Sequence, residues 1–81
     1  MQRWSTDSTT LLSVAYSSHR TLLELQFRDG AVYWFFDVPV SCVQQLLASD
    51  SKGAYFNTNI RNSFRYQRVS SGAGSLPKKT K

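Results

Sequence analysis

The sequence predicts an α+β domain: a three-stranded antiparallel β-meander packed against one longer and one shorter helix. Three observations carry this. Three β-type runs, Leu11 to Tyr16, Thr21 to Arg28 and Ala31 to Phe36, follow one another with only turn residues between them. Asp37-Val38-Pro39 then leads into apolar residues at helical spacing. Beyond Gly53, Phe56, Ile60 and Phe64 recur at fours, the spacing of a second, shorter helix.

Residues 1–9 are polar and aperiodic and read as a flexible N-terminus. The domain is expected over 10–69. Residues 70–81, with Ser70-Ser71-Gly72-Ala73-Gly74-Ser75 and then Lys78, Lys79 and Lys81, read as a disordered basic tail. Asp29-Gly30 suits a two-residue type I′ turn, because glycine accepts positive φ at no steric cost. Closing that turn at Arg28 and Ala31 would pair Phe27 with Val32, Leu25 with Trp34 and Leu23 with Phe36. One face would then carry Leu23, Leu25, Phe27, Val32, Trp34 and Phe36. The other would carry Glu24, Gln26, Arg28, Tyr33 and Phe35. Pairing Tyr16 with Thr21 across Ser17-Ser18-His19-Arg20 puts Val14 beside Leu23, which keeps the apolar face continuous. Leu11 and Leu12 cannot both point inward in a regular strand, so one is exposed or a bulge lies there.

Pro39 fits the first position of a helix, where its missing N–H costs nothing. Val40, Val43, Leu46 and Leu47 make an apolar stripe able to cover the sheet, with Cys42 near its edge as a small hydrophobe.

The composition bounds function. Eighty-one residues with 41% hydrophobic and 14% aromatic content make one small core rather than a multidomain enzyme or a disordered chain. No apolar run approaches the roughly 20 residues of a membrane helix. One cysteine allows no internal disulfide, and one Cys with one His cannot hold structural zinc. No metal or small-molecule cofactor is therefore expected. The N-terminal residues lack the apolar core of a secretory signal, which makes the cytoplasm the default compartment, and a monomer is expected. No nucleophile with a base and no carboxylate pair can be assembled: His19 falls in a hairpin loop, and Asp29 and Asp37 have turn duties. The expectation is a protein that is not an enzyme.

The net charge of +5 is unevenly placed. Residues 1–50 hold three arginines against five acids, a net −2, whereas 51–81 hold seven cations and no acid, a net +7. That gradient suits a polyanion, although a solubilising tail would have the same composition.

At this point the residues resemble the KTSC domain family, named for a C-terminal extension of some lysyl-tRNA synthetases and also found as small free-standing bacterial proteins. The resemblance covers about Ser8 to Val69. It rests on Leu11-x-Ser13-Val14-Ala15-Tyr16, on Leu25-x-Phe27-x-x-Gly30-x-x-Tyr33-x-Phe35, on Val38-Pro39 and Leu46-Leu47, and most specifically on Ser51-Lys52-Gly53-x-Tyr55-Phe56-Asn57-x-x-Ile60-Arg61. The chain departs from the family pattern at Phe35, where the central Tyr-x-Tyr becomes Tyr33-Trp34-Phe35, and at Ser17, which stands where an Asp often follows. The resemblance implies a domain of unknown biochemical role, for which RNA binding is inferred from its company with a tRNA-charging enzyme.

The functional reading is non-catalytic RNA binding, with tRNA one possible partner. Tyr33 and Phe35, exposed on the sheet beside Arg28, would stack bases, while Lys52, Arg61, Arg65 and Arg68 would meet phosphates. If the second helix extends that far, the three arginines form one basic stripe. Tyr55 and Asn57 complete the set, Asn57 as a reader of a base edge or phosphate. The plainer reading makes Tyr33 and Phe35 core residues, the arginines a solvated face and Asn57 a loop tie or cap. The alternative function is a protein–protein interaction module using the same aromatic face.

Overall fold

The computed structural model describes residues 1–71, the side chains of Ser70 and Ser71 excepted. Five strands form one antiparallel sheet in sequential order: β1 (Gln2–Ser5), β2 (Leu11–Ser17), β3 (Leu22–Phe27), β4 (Ala31–Phe35) and β5 (Tyr66–Ser71). In the chain between β4 and β5 come α1 (Val40–Ala48) and α2 (Lys52–Tyr55), the latter running on into a π-helical turn, Phe56–Ile60. The α+β class stands, and the three-stranded meander is corrected to five strands. The expected tail from residue 72 onward lies outside the described residues.

Both extra strands come from segments read as irregular or helical. β1 occupies the expected flexible lead, because Trp4, paired opposite Val14, packs against the core from that strand. β5 replaces the expected end of the second helix. The helical turn ends after Ile60, and Phe36 N–H donates to Arg65 O at 2.9 Å, which draws the chain onto the open edge of β4. Tyr66 then lies opposite Phe35, and Arg68 opposite Tyr33. Tertiary pairing has overridden local helical spacing here.

The β3–β4 register departs from the expected one by a single residue. Leu23 faces Phe35 and Leu25 faces Tyr33, so the loop is Arg28-Asp29-Gly30. Gly30 N–H donates to Phe27 O at 2.9 Å, Gly30 has a φ of 97°, and Asp29 Oδ1 accepts from Ala31 N–H at 2.9 Å. This is a three-residue turn with glycine in the left-handed position. The slip reverses both faces of β4, because side chains alternate with period two. Tyr33 and Phe35 therefore point to the core side, and Trp34 to the other.

Between β2 and β3 the register shifts by two residues, which preserves the faces: Val14 opposes Leu25 and Tyr16 opposes Leu23. A bulge between Leu11 and Ser13 lets Leu11 and Val14 both face inward, and leaves Leu12 37% exposed.

The core lies between one sheet face and the helices. It joins Leu11, Val14, Tyr16, Leu23, Leu25 and Phe35 to Val38, Val43, Leu46, Phe56 and Ile60. Pro39 is the residue just before α1, and of the expected stripe Val43 and Leu46 are buried while Val40 is 51% exposed. Tyr16 Oη donates to Val38 O at 2.6 Å, which ties β2 to the helix entry. Burial raises its pKa, with the nearby Cys42 adding to the effect.

On the opposite face, Arg3, Ala15, Glu24 and Trp34 lie in one cross-strand row. Arg3 Nη2 donates to Glu24 Oε2 at 2.7 Å, and Trp34 Nε1 to Glu24 Oε1 at 2.9 Å. Partial burial raises the Glu24 pKa, but the Trp34 and Arg3 hydrogen bonds and the Arg3 charge outweigh it and hold the carboxyl below its ordinary value.

Candidate nucleic-acid interface

Five rings converge where β3, β4 and β5 meet the π-helical turn. Phe27 and Tyr33 meet edge to face at 5.7 Å between centroids, and Phe56 meets Phe27 at 5.2 Å and Phe35 at 5.6 Å, both edge to face. Tyr66 completes the group, 5.7 Å from both Tyr33 and Phe35. Cross-strand pairing and strand alternation produce this arrangement, since Phe27, Tyr33, Phe35 and Tyr66 all leave one side of the sheet.

The rings line a cleft of about 290 Å³ together with Ala31, Asp29, Arg61 and Arg68. Their exposure is graded. Phe35 is 2% exposed and forms the floor, Tyr33 is half-buried, and Tyr66 is 56% exposed. Arg68 Cζ stands 5.7 Å from the Tyr33 ring centroid, a cation–π contact that positions a guanidinium at the aromatic surface. Arg61, exposed after the π-helical turn, brings a second cation to the lining.

Four of the residues predicted for RNA contact thus meet here: Tyr33, Phe35, Arg61 and Arg68. Of the two readings of Phe35, the exposed stacking platform is corrected and the core residue is the one observed, because the one-residue register slip turns it inward. The helical stripe Arg61-Arg65-Arg68 is also corrected, since Arg68 belongs to β5 and Arg65 lies just before it. Arg65 Cζ is 5.1 Å from the Phe36 ring centroid and Arg65 does not line the cleft.

The other predicted residues sit elsewhere. Arg28 donates from Nε to Ser8 O at 3.0 Å and from Nη2 to Thr6 O at 2.8 Å, clamping the β1–β2 loop. Tyr55 Oη donates to Gln45 Oε1 at 2.9 Å and joins α2 to α1; burial raises its pKa, and its contact with Cys42 adds to that. Lys52 Nζ donates to Ser49 O at 3.2 Å. Lys52 and exposed Asn57 line a second groove, about 890 Å³, between residues 5–10 and the start of α2. That groove is larger, but Asp7 and Asp50 outnumber its one lysine and its only ring is Trp4. The smaller cleft has the chemistry that stacks bases and meets phosphates.

The sequence reading missed Phe27, Phe56 and Tyr66 as members of the site, taking Phe27 as part of the apolar sheet face and Phe56 as part of the second helix. Tyr66-Gln67-Arg68 carried a usable signal. A spacing of two puts an aromatic and a cation on one face of a strand, but not of a helix.

The KTSC domain model matches residues 7–64. An uncharacterized protein of Stutzerimonas stutzeri is 37% identical over 70 residues, spanning 85% of this chain and 99% of that protein. A lysine–tRNA ligase of Trichormus variabilis is 36% identical over 55 residues, covering 68% of this chain but 10% of the ligase. The crystal structure of a KTSC domain protein from Yersinia pestis superposes with a TM-score of 0.81 at 30% identity, covering 85% of this chain and 97% of that one.

Proposed function

The chain belongs to the KTSC domain family, and from that membership together with the cleft we propose that it is a non-catalytic, monomeric RNA-binding domain of the cytoplasm. A base rests against exposed Tyr66 and half-buried Tyr33, while Arg61 and Arg68 meet the flanking phosphates. The observation that carries this reading is the pairing of an open ring-lined cleft with two arginines in its lining. Base–aromatic stacking contributes about 1–3 kcal/mol per base and tolerates any sequence. Single-stranded RNA fits better than duplex, because only unpaired bases present a face to a ring. The similarity to part of lysine–tRNA ligases makes tRNA, with its looped and terminal single strands, the first RNA to test.

The test is fluorescence anisotropy with labelled tRNA and with a mixed single-stranded RNA across about 50 to 200 mM salt, where phosphate contacts lose affinity steeply. Saturable binding that weakens with salt and is weakened by about 1–3 kcal/mol on Tyr66→Ala is expected. Absence of binding to either RNA overturns the reading and favours a protein partner at the same rings.

A further inference from the structure

The aromatic cleft is not lined by rings and cations alone. Asp29, at the tip of the β3–β4 loop, is its single acid, placed among the same lining residues as Arg61 and Arg68. A carboxylate works against a site built only for phosphate, because it repels the anion. It accepts hydrogen bonds and donates none while ionised. Its Oδ1 takes one from Ala31 N–H at 2.9 Å, which fixes the side chain's direction, and about three lone-pair positions remain on the two oxygens.

We propose that the cleft prefers guanine among the four bases, with Asp29 accepting from the base's Watson–Crick N–H groups. This deepens the RNA-binding reading and rests on it. Guanine presents two adjacent donors, N1–H and the N2 amino group, to which one carboxylate can bond bidentately. Adenine and cytosine each present one amino group beside a ring nitrogen acceptor, which a carboxylate repels. Uracil presents one N–H between two carbonyls. The cleft volume of about 290 Å³ lies just below the ~300–1,000 Å³ range of small-molecule sites, the scale of one nucleoside rather than a stack. Selection is therefore expected at a single position.

The experiment uses the full chain and four short single-stranded RNAs, each a uridine oligonucleotide with one central guest base: guanine, adenine, cytosine or uracil. Anisotropy titrations should give the guanine probe an advantage of about tenfold. Asp29→Asn retains an oxygen for Ala31 N–H and an Asn-Gly turn, so the fold should persist. It should remove the difference between the guanine probe and the other three, while all four tighten together because the carboxylate's repulsion of phosphate is gone. Equal binding of all four probes by the wild type, or a guanine preference that survives Asp29→Asn, would overturn the base preference while leaving RNA binding in place. No binding of any probe would overturn both readings together.

Discussion

Gly53 and Thr10 approach so closely that a Cβ on Gly53 would stand 2.6 Å from Thr10 Oγ1 and 3.1 Å from Thr10 Cβ. The contact seats the first turn of α2 against the loop whose Thr6 and Ser8 carbonyls Arg28 holds. Rotating the Thr10 side chain relieves the hydroxyl but not its Cβ, whose position the backbone sets. Gly53→Ala should therefore destabilise the domain by about 1–3 kcal/mol, as overpacking does. Chemical denaturation checks this, and Thr10→Ala in the same chain should restore part of the loss.

Phe35 and Tyr66 are neighbours across β4 and β5, yet their exposures of 2% and 56% separate their roles. Phe35→Ala removes a floor residue and should cost about 3–5 kcal/mol, enough to unfold a domain of this size. Tyr66→Ala should leave the melting temperature nearly unchanged and weaken RNA binding by about 1–3 kcal/mol. Parallel thermal melts and anisotropy titrations make the comparison. Equal loss of stability in both variants contradicts the assignment.

The three arginines of the C-terminal segment are predicted to be unequal. Arg61→Ala and Arg68→Ala should each lower the dependence of log affinity on log salt by about one. Arg65→Ala, whose side chain lies over Phe36 outside the cleft, should leave that slope unchanged. A helical basic stripe would instead make all three equivalent, so the salt series separates the two arrangements.

Glu24 links the fold to pH. Its carboxyl is held below the ordinary value of 4.5 by hydrogen bonds from Trp34 and Arg3 and by the Arg3 charge, against the opposing effect of burial. A depressed folded-state pKa contributes stability that is fully present above the unfolded value and is lost as pH falls through the folded one. Stability should thus decline below about pH 4.5, and Glu24→Gln should flatten that part of the profile. Denaturant midpoints at a series of pH values for both proteins give the answer.

Local chemistry along the chain was enough to locate three strands, α1 with Val43 and Leu46 on its buried side, the alternation that makes Leu23 and Leu25 core, and the irregularity at Leu11-Leu12. Each depends on neighbours within a few residues. The family was legible for the same reason, in the string from Ser51 to Arg61. The cleft was legible only in part. Tyr33, Arg61 and Arg68 were singled out as binding residues, but Arg68 by way of a second helix that stops at Ile60, short of it.

What the sequence by itself determined is therefore the α+β class, the family and the basic C-terminal half. Tertiary structure decided which side Tyr33 and Phe35 face and which rings join them. A strand's side chains alternate with period two, so the extra residue that Gly30's positive φ admits to the β3–β4 loop inverts the faces of β4. Tyr66 and Arg68 reach the cleft because β4 offered an unpaired edge, a partner more than thirty residues away that no local spacing announces.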